Sequence, residues 1–234
     1  MQLFQTTRLR WQQSDPNLRI FLIGVLLLGI NSGILTTSFN NYLNDIFQLG
    51  ARDRGFLEFP RELPGAALIV VTGLLSVWLM RTWAILVGII SAIGVVGLAY
   101  LSPTIAVMTV WMILWSLGDH LFMPVESAMG LHLAHDGKHG ARLGQISGAR
   151  NLSAIVGAGL VWVIAYFFKG PIIYKILFSF AGIIALLAAI SFSKIHDATD
   201  KIPDKKKFVL KNKYSLYYIL NILFGARKQL FLTF

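Results

Sequence analysis

Residues 82–101 read TWAILVGIISAIGVVGLAYL, and beyond the turn Ser102-Pro103 residues 104–130 read TIAVMTVWMILWSLGDHLFMPVESAMG. The first stretch carries no charged residue over its 20 positions. A helix of that length rises about 30 Å, the thickness of a bilayer's hydrocarbon core. The second stretch is equally apolar at its start but then holds Asp119, His120 and Glu126. Ionisable groups at such depth are costly, so each needs a partner, water or a function.

The same ruler, carried outward, places six spans near 19–43, 57–80, 82–101, 104–130, 143–168 and 171–193, and the start of a seventh from 214. The connections are short and carry turn chemistry: Arg81-Thr82, Ser102-Pro103 and Lys169-Gly170-Pro171. No span shows the alternation of a barrel strand, which leaves helices as the spanning element. The first span ends in Asn40-Asn41-Tyr42 without a small-residue cleavage site and is expected to stay in the membrane. The fold class expected is therefore all-α, a polytopic membrane protein.

Composition agrees. Of 234 residues, 56% are hydrophobic and 14% charged, with a mean hydropathy of +0.65. Soluble domains carry about 25% charged residues. Disorder is excluded, and the lack of cysteine excludes disulfides and thiolate-held metals. The net charge of +10 reports topology. A cytoplasmic N-terminus puts thirteen bases on that side (Arg8, Arg10, Arg19, Arg81, Lys138, Arg142 and seven lysines from Lys194 to Lys213) and four on the other (Arg52, Arg54, Lys169, Lys175). The expected organisation is a cytoplasmic segment 1–18, a six-helix bundle 19–193, a basic linker 194–213 and the start of a seventh helix, 214–234. The expected location is the cell (inner or plasma) membrane, with the lipid bilayer rather than nucleic acid as partner.

Within the spans, Asp119 and Glu126 lie seven residues apart on one helix face, and Pro124 between them is expected to kink the helix. Arg150, roughly 10 Å above the inner surface, comes to a depth comparable with Asp119 and is expected to pair with it. Two readings stand. One is a static ion pair that fixes packing. The other is a protonatable carboxylate facing water, whose neutral form burial favours. His120 reads as a satisfied interior histidine or a second proton carrier. Asn31, Ser38 and Asn41 fall on one stripe expected to face the bundle interior. Glu58, Arg61 and Glu62 cluster around Pro60, ahead of Pro64, at the outer end of span two, as an interfacial charge cluster or an outer gate. Gly144 and Gly148 form a GxxxG step, and with Gly88, Gly94, Gly97, Gly157 and Gly159 read as packing surfaces. His132, His135, His139 and Asp136 surround Gly137 and are expected to form a solvated loop rather than a metal site. No Walker, GxSxG or HExxH sequence is present, so no cofactor is expected.

Six spans, a basic linker and a new span that repeats the first suggest one half of a two-part carrier. Arg61 in span two is also echoed by Arg150 in span five, as three-plus-three inverted repeats would produce. In this layout the chain resembles the major facilitator superfamily. The family's loop signature between helices two and three is matched here by Gly73 and Arg81, in a degenerate form with Val77 and Met80 at its aspartate and second glycine. The resemblance implies twelve helices, so that the chain to Phe234 is expected to be a fragment of a longer protein, or a half that pairs with a second copy. It implies further that helices one, four and seven line a central cavity. Asn31, Asp119 and Arg227 are then the expected midplane residues of a solute path, with Glu126 and Arg150 in coupling. Unpartnered, Arg227 and Lys228 would be costly in the seventh helix.

The function expected is a secondary active transporter of a small solute, with protons as the candidate coupling ion, and not an enzyme. The alternatives are a non-transporting scaffold with static internal ion pairs and, more remotely, an intramembrane hydrolase using Ser116, Asp119 and His120.

Overall fold

The computed structural model describes residues 15–75, 79–134, 137–196 and 215–216, with the side chains of 66–75 excepted. Among the described residues six long helices follow one another: α1 Pro16–Phe47, α2 Ala51–Leu75, α3 Met80–Tyr100, α4 Ile105–His132, α5 His139–Phe167 and α6 Ile172–Ser193. There is no strand among the described residues. The N-terminal segment to residue 14, nearly all of the linker, His135, Asp136 and the seventh span with Arg227 and Lys228 lie outside them.

Local chemistry sets the ends. Asp15 caps α1 by accepting from the Asn17 amide at 2.7 Å, with Pro16 in the first turn, where its missing N–H costs nothing. Gln48 closes α1 in a left-handed conformation, φ 55°. Thr104 caps α4 through the Val107 amide. Pro60, Pro64 and Pro124 sit inside helices that continue past them.

Among the described residues five helices are long and apolar enough to cross a membrane, and the chain is a multi-pass membrane protein. The exception is α2, whose first half carries Asp53, Arg54, Glu58, Arg61 and Glu62. It begins at Ala51 rather than near 57, which changes the depth of its charges. Large apolar side chains such as Ile93, Val110, Ile183 and Ile190 cover the outside, as a lipid-facing surface requires.

The principal contacts are α1 with α5 and α6, α4 with α2 and α3, and α3 with α6. Exchanging each helix for the one three places away maps this set onto itself: α1·α5 becomes α4·α2, α1·α6 becomes α4·α3, and α3·α6 is unchanged. Two apolar clusters fill the bundle. One joins Phe21, Val87, Phe122 and Phe192, the other Phe39, Leu98, Met112 and Phe178.

Close helix approach depends on small residues. A Cβ on Gly33 would stand 2.1 Å from the Ala154 carbonyl oxygen, and one on Gly157 2.3 Å from that of Ile30, so α1 and α5 touch backbone to backbone. Gly94 and Gly97 meet Trp115 and Trp111, and Gly88 meets the Ala185 carbonyl. Among the described residues the expected step Gly144–Gly148 does not pack: a Cβ added to either residue, or to Gly159, would meet nothing within 4 Å. The face of α5 that meets α1 is the one with Ser153, Ala154 and Gly157, and the GxxxG residues point elsewhere.

Candidate functional site

A cavity of about 460 Å³ lies between α1, α2, α4 and α5. From α1 it receives Ser32, Thr36, Phe39 and Asn40; from α2, Glu58, Arg61 and Glu62; from α4, Trp115, Ser116, Asp119, His120 and Met123; and from α5, Arg150. A second hollow of about 620 Å³, near the α3–α4 and α5–α6 turns, is lined by groups such as Tyr42, Trp111 and Tyr174 and carries no carboxylate.

The expected stripe on α1 faces the bundle interior at Asn31 and Ser38, but the cavity is lined by neighbouring positions. Ser32, Thr36 and Asn40 repeat every fourth position and line the cavity. Asn31 is fully buried outside it, donating to the Ala181 carbonyl at 2.9 Å and meeting Ser91 at 3.5 Å. It ties α1 to α3 and α6 rather than lining the path. Ser38 is buried and returns to the Ile34 carbonyl, while Asn41 is exposed.

The cluster on α2 is deeper than the sequence suggested. Because α2 starts at Ala51, Arg61 lies about 15 Å along it, level with Ser116 of α4, whose hydroxyl donates to the Arg61 carbonyl. Arg61 binds Glu58 at 2.6 Å and approaches Glu62 at 3.7 Å. Glu62 in turn meets His120 Nε2 at 3.2 Å. Gly65 makes room for this contact, since a Cβ there would stand 2.6 Å from the His120 ring. The charges are thus part of the cavity wall, not an isolated interfacial cluster.

Arg150 does not pair with Asp119. Its Nη1 binds Glu126 Oε2 at 2.9 Å, and its guanidinium lies over the Phe122 ring at 5.4 Å. The reason is side-chain direction. Helical side chains lean toward their own N-terminus. α4 and α5 run in opposite senses, so Glu126 and Arg150 lean toward each other, while Asp119 sits two turns further up α4. Asp119 is enclosed by the surrounding helices yet keeps part of its surface on the cavity. No cation lies within ion-pair distance of it among the described residues, and the Trp115 indole is its neighbouring donor.

His120 explains itself by proton accounting. Its Nδ1 lies 2.9 Å from the Ser116 carbonyl, an acceptor only, so that bond places a proton on Nδ1. The Nε2–Glu62 contact then needs one more proton, shared between imidazole and carboxylate. The serine 3.1 Å from Nδ1 therefore faces a donor, not a base, and sends its own proton to Arg61. Ser116, His120 and Glu62 have the outline of a hydrolytic triad with the protons on the wrong atoms.

Of the residues at the loop signature, Gly73 lies in the last turns of α2, and Arg81, half-buried, is the second residue of α3. The contributions of Thr36, Asn40 and Trp115 were missed; a hydroxyl or amide every fourth residue on α1 was the available signal. No protein-family model matches the chain, and no curated protein matches it either.

Proposed function

We propose that the chain is part of a secondary active carrier in which this cavity forms part of the path of a small solute, moved by alternating access. The observation that carries the reading is a charged, hydrogen-bonding cavity inside a bundle whose outer surface is apolar. A fold held only by packing has no use for six ionisable groups at that depth, and intramembrane ionisable groups mark solute and proton pathways. The contact pattern supports the rest: two three-helix units exchanged by a three-place shift are the plan of the major facilitator superfamily. In that plan the bundle works against a second six-helix half or a second copy, with its N-terminus in the cytoplasm of a cell or inner membrane.

Proton coupling falls to Asp119 and to the proton held between His120 and Glu62. Asp119→Asn, in the complete carrier reconstituted in vesicles, is expected to lose at least nine-tenths of uptake driven by a pH gradient. Unchanged gradient-driven uptake would remove Asp119 from the coupling. The scaffold reading draws on a specific observation too, the formed pairs Arg150–Glu126 and Arg61–Glu58. It leaves Asp119, facing a cavity with no ion pair among the described residues, without a purpose.

A further inference from the structure

We infer that the cavity takes an organic cation, an ammonium on a small apolar or aromatic body, held by Asp119 beside the Trp115 and Phe39 rings. The inference rests on the solute-path reading above and names the class of solute.

Charge supply comes first. Four carboxylates, Glu58, Glu62, Asp119 and Glu126, stand on or beside the cavity against two guanidiniums and one imidazole. Both guanidiniums are engaged. Arg61 is held between Glu58 and Glu62, and Arg150 is held by Glu126 and the face of Phe122. Asp119 is the carboxylate left over. It faces the cavity with no cation within ion-pair distance among the described residues, although the charge of Arg150 acts on it from further off. An enclosed carboxylate that opens onto an aqueous pocket attracts positive charge, and the low-dielectric walls lengthen the reach of that attraction.

The rings make the second, independent point. Trp115 lies one turn before Asp119 on α4, and its ring centroid is 5.3 Å from that of Phe39 at an angle of 60°. Both line the same cavity. Tilted aromatic faces beside a carboxylate are the recognised chemistry for an ammonium, because the electron-rich faces attract a cation. An anionic solute would meet Asp119 and could bind a guanidinium only by displacing Glu126, Glu58 or Glu62. A volume of about 460 Å³ lies within the range of roughly 300–1,000 Å³ for small-molecule pockets.

The test is calorimetry on the full chain in lipid nanodiscs, with three probes of one shape: benzylammonium, benzyl alcohol and benzoate. Benzylammonium is expected to bind at least tenfold more tightly than benzyl alcohol, with benzoate weakest. Asp119→Asn should erase the preference over the alcohol, and Asp119→Glu should retain it. Trp115→Leu should weaken benzylammonium binding at least threefold. Benzoate binding as tightly as benzylammonium, a preference that survives Asp119→Asn, or no binding of any probe would each overturn the cation assignment. A thiol placed at Thr36 separates the two levels of failure. If it reacts with a polar reagent while the probes fail, the cation class falls and the solute path stands. If it is inert, both fall.

Discussion

Replacing Arg150 with methionine is expected to destabilise the bundle by about 3 kcal/mol, the low end of the cost of breaking a buried ion pair. Glu126 would be left with neither partner: its Oε2 loses the guanidinium at 2.9 Å, and its Oε1 is already buried without a hydrogen bond. The low end is appropriate because the Arg150 side chain keeps 21% of its surface exposed, against 11% for Glu126. Removing both charges together, Arg150→Met with Glu126→Leu, should recover most of the loss, since a paired charge replaced by apolar volume is often near neutral. Thermal unfolding of the purified chain, followed by tryptophan fluorescence, measures both. An Arg150→Met variant as stable as the parent would mean that the pair is formed but contributes nothing to the fold.

The second large effect is steric. Gly33→Val is expected to part α1 from α5, because its Cβ would meet the carbonyl oxygen, carbon and Cα of Ala154 at 2.1, 2.8 and 2.8 Å. Those are backbone atoms and cannot rotate away, so two helices must separate along their contact. Overpacking of this kind costs about 1–3 kcal/mol and occasionally more, and at a backbone contact we place it at or above the upper end. Gly148→Ala is the control. Nothing lies within 4 Å of it, and alanine is the better helix former by about 1 kcal/mol, so its stability should be unchanged or raised. Equal losses from the two substitutions would contradict the assigned faces of α5.

The contrast between Gly33 and Gly148 shows what a single sequence can carry. The apolar runs, their lengths and the turn residues between them made six helices legible, because a bilayer sets a fixed length for each. Helix rotation was harder to read. Asn31 and Thr36 differ by five positions on α1, yet one ties three helices together and the other faces the cavity. The hydrophobic pattern around them is nearly continuous and gives no phase. Glu58, Arg61, Glu62, Asp119, His120 and Arg150 were all found as charges in spans, because a charge in an apolar run is visible from composition alone. Their partners were not. Depth along each helix suggested Asp119 with Arg150, and the lean of side chains toward opposite N-termini brought Glu126 there instead. A second span that starts near 57 puts the helix-two cluster at the membrane edge, whereas α2 begins seven residues before Glu58.

Water and solute are expected to reach the cavity between α1, α2, α4 and α5. The chain has no cysteine, so single cysteines can be placed without background at Thr36 and Asn40, exposed on the cavity wall, at buried Asn31, and at Ile183 on the outer face. Reaction rates with a small, charged thiol reagent on the protein in membranes give the answer directly. Fast modification is expected at Thr36 and Asn40, slowed by a bound solute, and silence at Asn31 and Ile183. Silence at all four positions would contradict it and leave a sealed, static bundle.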